Sequence, residues 1–200
     1  MMTAERYERH TLIEWFDQDM VHGLRAIVVG AGAVGNEVIK NLVLLGVGEL
    51  HVFDLDVIEA SNLTRSVLFR EGDIGRPKAA CAAERARELD PNVNVSSYHG
   101  DFWRTLSFSL LRSSAVVFCC VDNYEARIRL NRLCAIAGVP LINVGIDSRF
   151  AVVEQFGFNS GCRAPVRPRA PCSQLSLSNC RSPRRRSSPR SGPHRSSWCC

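Results

Sequence analysis

Gly30-Ala31-Gly32-Ala33-Val34-Gly35 fits the pattern G-x-G-x-x-G, and an acid, Asp54, follows 19 positions after the last glycine. Each glycine has its own task in that pattern. Gly30 lets the chain turn tightly, Gly32 carries no side chain to block a phosphate, and Gly35 lets a helix pack closely on the preceding strand. The helix that opens there offers free N–H groups and the positive end of its dipole to an anion. An acid at the spacing of Asp54 can accept hydrogen bonds from both hydroxyls of an adenosine ribose. Together they point to an adenine nucleotide, without saying which one or what is done to it.

These residues need strands and helices in the right order to hold them. Leu24 to Gly30 (LRAIVVG) is a continuous apolar run entering the glycine turn, the pattern of a strand buried on both faces. A helix is expected from about Asn36 to Leu45, with Val38, Ile39, Leu42 and Val43 on one face and Gly46 and Gly48 after it. Glu49 to Asp54 reads as the second strand and Val93 to Tyr98 as the third. Ala115 to Val121 reads as the fourth, Pro140 to Val144 as the fifth and Ala151 to Phe158 as the sixth. Helices are expected over Lys78 to Leu89, stopped by Asp90-Pro91, over Tyr124 to Ala137, and over Thr3 to Asp19 with Thr3 as its cap. Strands alternating with helices imply βαβ units, hence a Rossmann-like, doubly wound, mainly parallel sheet.

The segment beyond Asp54 separates one nucleotide chemistry from another. It runs Asp54-Leu55-Asp56, then Asn62-Leu63-Thr64-Arg65, then Asp73-Ile74-Gly75 and Lys78, with Val121-Asp122-Asn123 later. Taken singly, each residue has a plainer reading. Asn62 suits a helix cap or a turn, and Arg65 and Lys78 suit solvated surface charges. Asp122-Asn123 suits the cap of the next helix, Arg6 and Arg9 the polar face of a surface helix, and Asp56 either a turn or a site.

The combination D-x-D-x(5)-N-L-x-R, D-I-G-x-x-K and V-D-N resembles the ThiF/MoeB/HesA adenylyltransferases of the ubiquitin-activating-enzyme superfamily. The opening Arg6-Tyr7-Glu8-Arg9-His10 resembles that family's R-Y-x-R start, and the likeness runs from about Arg6 to Gly161. The resemblance implies binding of ATP with Mg²⁺ and adenylation of the carboxy-terminal glycine of a ubiquitin-like or sulfur-carrier protein ending in Gly-Gly. It implies that Asp54 holds the ribose, that Asn62, Arg65 and Lys78 contact the triphosphate, and that Asp122 holds Mg²⁺. Arg9, or Arg6, would reach the phosphates of a partner subunit in a homodimer or hetero-oligomer. An NAD(P)-dependent oxidoreductase shares the glycine turn and Asp54 but gives no account of Asn62, Arg65 and Lys78.

Charge divides the chain in the same place as the resemblance does. The 200 residues carry +5, but the last acid is Glu154. From Cys162 onward there are nine Arg, nine Ser, six Pro, five Cys and no acid. Subtracting that +9 leaves −4 on residues 1–161, which we expect to form the nucleotide-binding domain, with 162–200 a disordered tail. Arg, Pro, Ser and Cys without Lys, Glu, Ile or Tyr is the composition that out-of-frame translation of GC-rich DNA produces. A competing reading makes Arg181 to Arg190 an RNA-binding tail on a nucleotide-sensing body.

The family's structural zinc site needs paired cysteines. Gly161-Cys162 appears where the first pair would begin, yet position 165 is Pro and no C-x-x-C follows, so no intact zinc site is expected and Cys162 stands as a remnant ligand. Cys81, Cys119, Cys120 and Cys134 read as buried free thiols of a reducing compartment. No apolar run reaches the roughly 18 residues of a membrane span, so a cytoplasmic protein is expected. Lacking the segment that would receive a carrier's tail, the chain is expected to bind ATP weakly and adenylate poorly.

Overall fold

The computed structural model describes residues 5–146 and 151–157. Six strands form one sheet: β1 (Arg25–Val29), β2 (Glu49–Asp54), β3 (Asn94–His99), β4 (Val116–Cys119), β5 (Leu141–Ile146) and β6 (Ala151–Phe156). Their spatial order is β3-β2-β1-β4-β5-β6, parallel except for β6, which runs antiparallel to β5. The order reverses between β1 and β4. In an open sheet of this kind a crevice forms there, beyond the carboxyl ends of the strands, where ligands collect.

The continuous apolar run of β1 has the expected cause. Val28 joins one core with Ile39 and Val43 of α2 (Ala33–Leu45) and the alanine face of α3 (Lys78–Leu89). Its neighbours Ile27 and Val29 point the other way, into a second core with Phe53, Val117, Leu141 and Leu130 of α6 (Tyr124–Ala137). Ala79, Ala82, Ala83 and Ala86 are all buried, so α3 lies close against the sheet with no large side chain between. Two short helices between β3 and β4, α4 (Phe102–Thr105) and α5 (Phe108–Arg112), seal the second core through Phe102 and Leu111. Neither was expected from the sequence. Each is a single turn or little more, capped by Asp101 and Ser107.

The expected helix over Thr3–Asp19 is corrected. Within the described residues Glu5 and Arg6 are helical, the chain then turns, a 3₁₀ turn follows at His10–Leu12, and a separate helix, α1, covers Gln18–His22, capped by Asp17; Thr3 lies outside the described residues. The segment is fastened from outside instead of along its own axis. The Tyr7 hydroxyl donates to the buried Asp90 carboxylate at 2.7 Å, Arg6 donates to the Leu89 carbonyl at 2.7 Å, and His10 meets Gln18. Leu12 and Trp15 stay 79% and 83% exposed. Gly46, in the left-handed conformation at the end of α2, makes room for this packing: a Cβ there would lie 2.7 Å from the Tyr7 ring. No described helix is long and apolar enough to cross a membrane.

Burial, then the bond to Asp90, pushes the Tyr7 hydroxyl up to about 12. A group held higher in the folded chain than in the unfolded one contributes stability that is whole below its ordinary value of 10.0 and is lost as pH climbs through 12. Tyr7→Phe should therefore lower the unfolding free energy in urea at neutral pH by about 1–3 kcal/mol, because Asp90 keeps its burial and loses a donor. The same variant should also show a shallower alkaline loss of stability than the parent.

Candidate functional site

The glycine turn does what its spacing requires. Gly30 has φ +95°, and a Cβ there would stand 2.8 Å from the carbonyl of Cys120, at the end of β4. A Cβ on Gly35 would overlap the Gly30 carbonyl. Gly32 differs from both: nothing lies within 4 Å of where its Cβ would be, and it sits at the N-cap of α2 with no side chain covering the helix end. The space above Gly32 and the free amides of the first turn form an anion cradle.

Asp54 is joined to that cradle directly. Its carboxylate accepts from the Ala31 amide at 2.5 Å and from the Asp56 amide at 2.8 Å. Burial raises its pKa, against the pull of those two amides and of Lys78. Each carboxylate oxygen has two lone pairs, so both can still take a hydroxyl. Lys78, whose side chain is only 12% exposed, donates to the Asp56 carboxylate at 2.9 Å, and its amide donates to the Asp56 carbonyl. Asp56, open between site and turn in the sequence, is thus the carboxylate that holds Lys78 beside Asp54.

Asp122 follows the Cys120–Val121 peptide that packs on Gly30, and it is exposed. Among the described residues nothing bonds its carboxylate. Asn123 caps α6, its side chain accepting from the Glu125 amide at 2.9 Å, so the plainer reading of that pair holds for Asn123 alone.

Asn62 serves a turn, its side chain accepting from the Glu59 amide at 2.9 Å. Arg65 donates to the Ser61 carbonyl at 2.8 Å and lies exposed on the rim of a shallow depression shared with Glu37 of α2. The structure does not bring Arg6 or Arg9 to the glycine turn of the same chain. Tyr7, between them, packs at Gly46, the far end of α2, and thirteen helical residues span about 20 Å. Arg6 is occupied by Leu89 and, at 3.6 Å, by Asp90, whereas Arg9 is exposed and has no bonding partner among the described residues.

Two positioning residues carry roles that the sequence does not assign, although Asp73 belongs to the D-I-G-x-x-K motif. Asn36 is fully buried in α2. Its amide group donates to the Ala31 carbonyl at 2.7 Å and the Gly32 carbonyl at 3.1 Å, while its oxygen accepts from the Leu68 amide at 2.9 Å. It staples the glycine turn to the segment that carries Asn62 and Arg65. A polar residue inside an apolar helix stripe was the available signal. Asp73 is buried too, and burial alone would raise its carboxyl, but the Arg70 amide, Arg76 and Arg85 hold it below its ordinary value. It locks the loop that delivers Lys78.

The described cysteines are free thiols, and none is an activated nucleophile. Burial pushes Cys120 and Cys134 up to about 12 and raises Cys81 and Cys119 as well. Among the described residues no group of three or more His, Cys, Asp or Glu is gathered to hold a metal. Cys162, the other late cysteines and the Arg/Ser/Pro-rich segment lie outside the described residues.

The sequence matches the ThiF family over residues 7–191. The chain belongs to the ThiF family. The matched span passes Gly161 and enters the Arg/Ser/Pro-rich segment. This ThiF-family chain is 38% identical over 146 residues to SUMO-activating enzyme subunit 2 of Dictyostelium discoideum, covering 71% of the chain and 22% of that protein. It is 37% identical over 145 residues to the SAMP-activating enzyme E1 of Haloferax volcanii, covering 71% of the chain and 54% of that protein. Its fold is shared with a crystal structure of E. coli MccB with ATP, at a TM-score of 0.68 and 26% identity over 78% of the chain and 49% of MccB. The chain thus spans about half, or less, of the length of these relatives.

The glycines separate folding from binding. Gly32→Ala should change stability by less than about 1 kcal/mol, because its φ of −73° is ordinary and its Cβ meets open space, yet it should weaken nucleotide binding. Gly35→Ala should cost about 1–3 kcal/mol or more, since the new methyl meets backbone. Thermal unfolding with and without ATP measures both.

Proposed function

We propose that this chain is the nucleotide half of an enzyme that uses MgATP to adenylate the carboxy-terminal glycine of a ubiquitin-like or sulfur-carrier protein. The observation that carries the reading is the meeting of four features at the carboxyl edge of β1, β2 and β4: the open cradle over Gly32, the desolvated Asp54, the nearly buried Lys78 and Asp122, whose carboxylate has no partner among the described residues. Named activating enzymes among the relatives, and ATP in the MccB crystal, support it.

In this reading Asp54 accepts the ribose hydroxyls. The α2 amides and Lys78 take the phosphates, and Arg65 approaches from the rim once Asn62 and Ser61 have set its turn. Asp122 suits Mg²⁺, which favours one or two carboxylates and keeps several waters. When bound, that ion neutralises charge on the departing pyrophosphate. A carrier carboxylate oxygen attacks the α-phosphorus, the bond between the α-phosphorus and the bridging oxygen breaks, and pyrophosphate leaves. The protein's contribution is to hold two anions together and meet the developing charge, which needs no covalent intermediate. Arg9 then acts in trans, from a second copy or a related subunit, because its own site is a helix length away. We read residues 1–161 as the nucleotide domain.

Lys78→Ala and Asp122→Ala should each weaken MgATP binding by at least about tenfold and lower ATP–pyrophosphate exchange with a Gly-Gly-ended carrier by about 10²-fold or more. Exchange and binding left intact in both variants would contradict the site assignment. ATP affinity should also fall on acidification from a higher pH than an ordinary aspartate would dictate, because protonated Asp54 loses acceptor capacity. Asp54→Ala should flatten that dependence, as read by calorimetry.

A further inference from the structure

The ends of β4 and β5 are held by a side chain that the functional reading has not used. Backbone pairing between these strands stops at Cys119 and Asn143. Beyond that point neither Val121 nor Val144 is paired across β4 and β5; β6 holds Val144 on its other side through Val153, while the Val121 carbonyl needs another partner to stay in place. Arg127, in the second turn of α6, fills the gap. One guanidinium nitrogen donates to the Asn143 side chain at 2.6 Å and to the Val144 carbonyl at 2.8 Å, and the other donates to the Val121 carbonyl. The rigid fork of an arginine matches this spread in a way that a lysine's single ammonium does not.

The consequence falls on Asp122. Its preceding residue is tied down by Arg127 and its following residue, Asn123, is tied down as the cap of α6. The backbone of Asp122 is therefore pinned on both sides, while its carboxylate is left without a partner among the described residues. We propose that Arg127 is the positioning residue for the cation-holding carboxylate: it sets where Asp122 points without itself touching nucleotide. The inference rests on the reading of Asp122 given above. Asn143 extends the clamp to β6, its amide donating to Glu154 at 3.2 Å, so the antiparallel strand backs the same site.

The test measures ATP affinity of the full chain by calorimetry, once with EDTA and once with excess Mg²⁺, for the parent, Asp122→Asn, Arg127→Gln and Asn143→Ala. In Arg127→Gln, Mg²⁺-dependent tightening should fall by about tenfold, the usual effect of removing a residue that orients a metal ligand. Affinity in EDTA should stay within about twofold of the parent, again by calorimetry. Asn143→Ala, which leaves Val121 untouched, should show part of the loss. Arg127→Lys serves if the glutamine variant does not fold, and is expected to fall between it and the parent. The double variant Arg127→Gln/Asp122→Asn should be no worse than Asp122→Asn alone, because both act through one carboxylate.

Equal weakening with and without Mg²⁺, no change in either, or losses that add in the double variant would overturn the proposal. If Asp122→Asn itself keeps the Mg²⁺ effect, the reading of Asp122 fails and takes this inference with it. If Asp122→Asn loses the effect while the Arg127 and Asn143 variants keep it, the inference alone fails.

Discussion

The Cys120–Val121 peptide lies against Gly30 at a distance that excludes even a methyl group. Everything else in the site depends on that contact. It closes the sheet where the strand order reverses, and it sets the height of the glycine turn above β1. It also puts Asp122 directly after the peptide that packs on Gly30. Gly35 repeats the constraint from the helix side, its Cα under the Gly30 carbonyl. Close packing of backbone on backbone is what allows three elements to present their amides and carboxylates to one small anionic ligand.

Around that contact the chain spends buried polar groups on alignment. Asp54 bonds the Ala31 amide, Asn36 bonds the carbonyls of Ala31 and Gly32 and the Leu68 amide, and Asp73 gathers Arg70, Arg76 and Arg85 behind Lys78. Such groups are costly to bury and must be bonded. Here they fasten separate loops to one turn. Asp54 keeps a raised pKa despite two amide donors, because burial outweighs them.

Much of the arrangement was legible in the residues. The strand Glu49–Asp54 and the helices Lys78–Leu89 and Tyr124–Ala137 lie where their patterns put them, because apolar period and caps act locally. The Thr3–Asp19 segment misled, since its contacts are to Asp90 and Gly46, far along the chain, and no local pattern reports them. The roles of Asn36, Asp73 and Arg127 were hidden for a related reason. Their partners are backbone atoms and charges that only folding brings near. The motif that resembles an adenylyltransferase named Asp54, Lys78 and Asp122, and the fold gathers their elements at one edge. Asn62 and Arg65 it placed on a turn beside that edge, bonded to their own loop. The match to the ThiF family agrees with the resemblance and does not by itself assign a role to any residue.

In the proposed function an adenine nucleotide enters above Gly32 with its ribose on Asp54 and its phosphates between α2 and Lys78. Backbone amide shifts of isotope-labelled protein, followed as ATP and Mg²⁺ are added, test it most directly. The largest shifts should fall on Ala31 to Gly35, Asp54 to Asp56 and Val121 to Asn123, and NADH should not reproduce them. Shifts centred elsewhere, or an equal response to NADH at these amides, would contradict it.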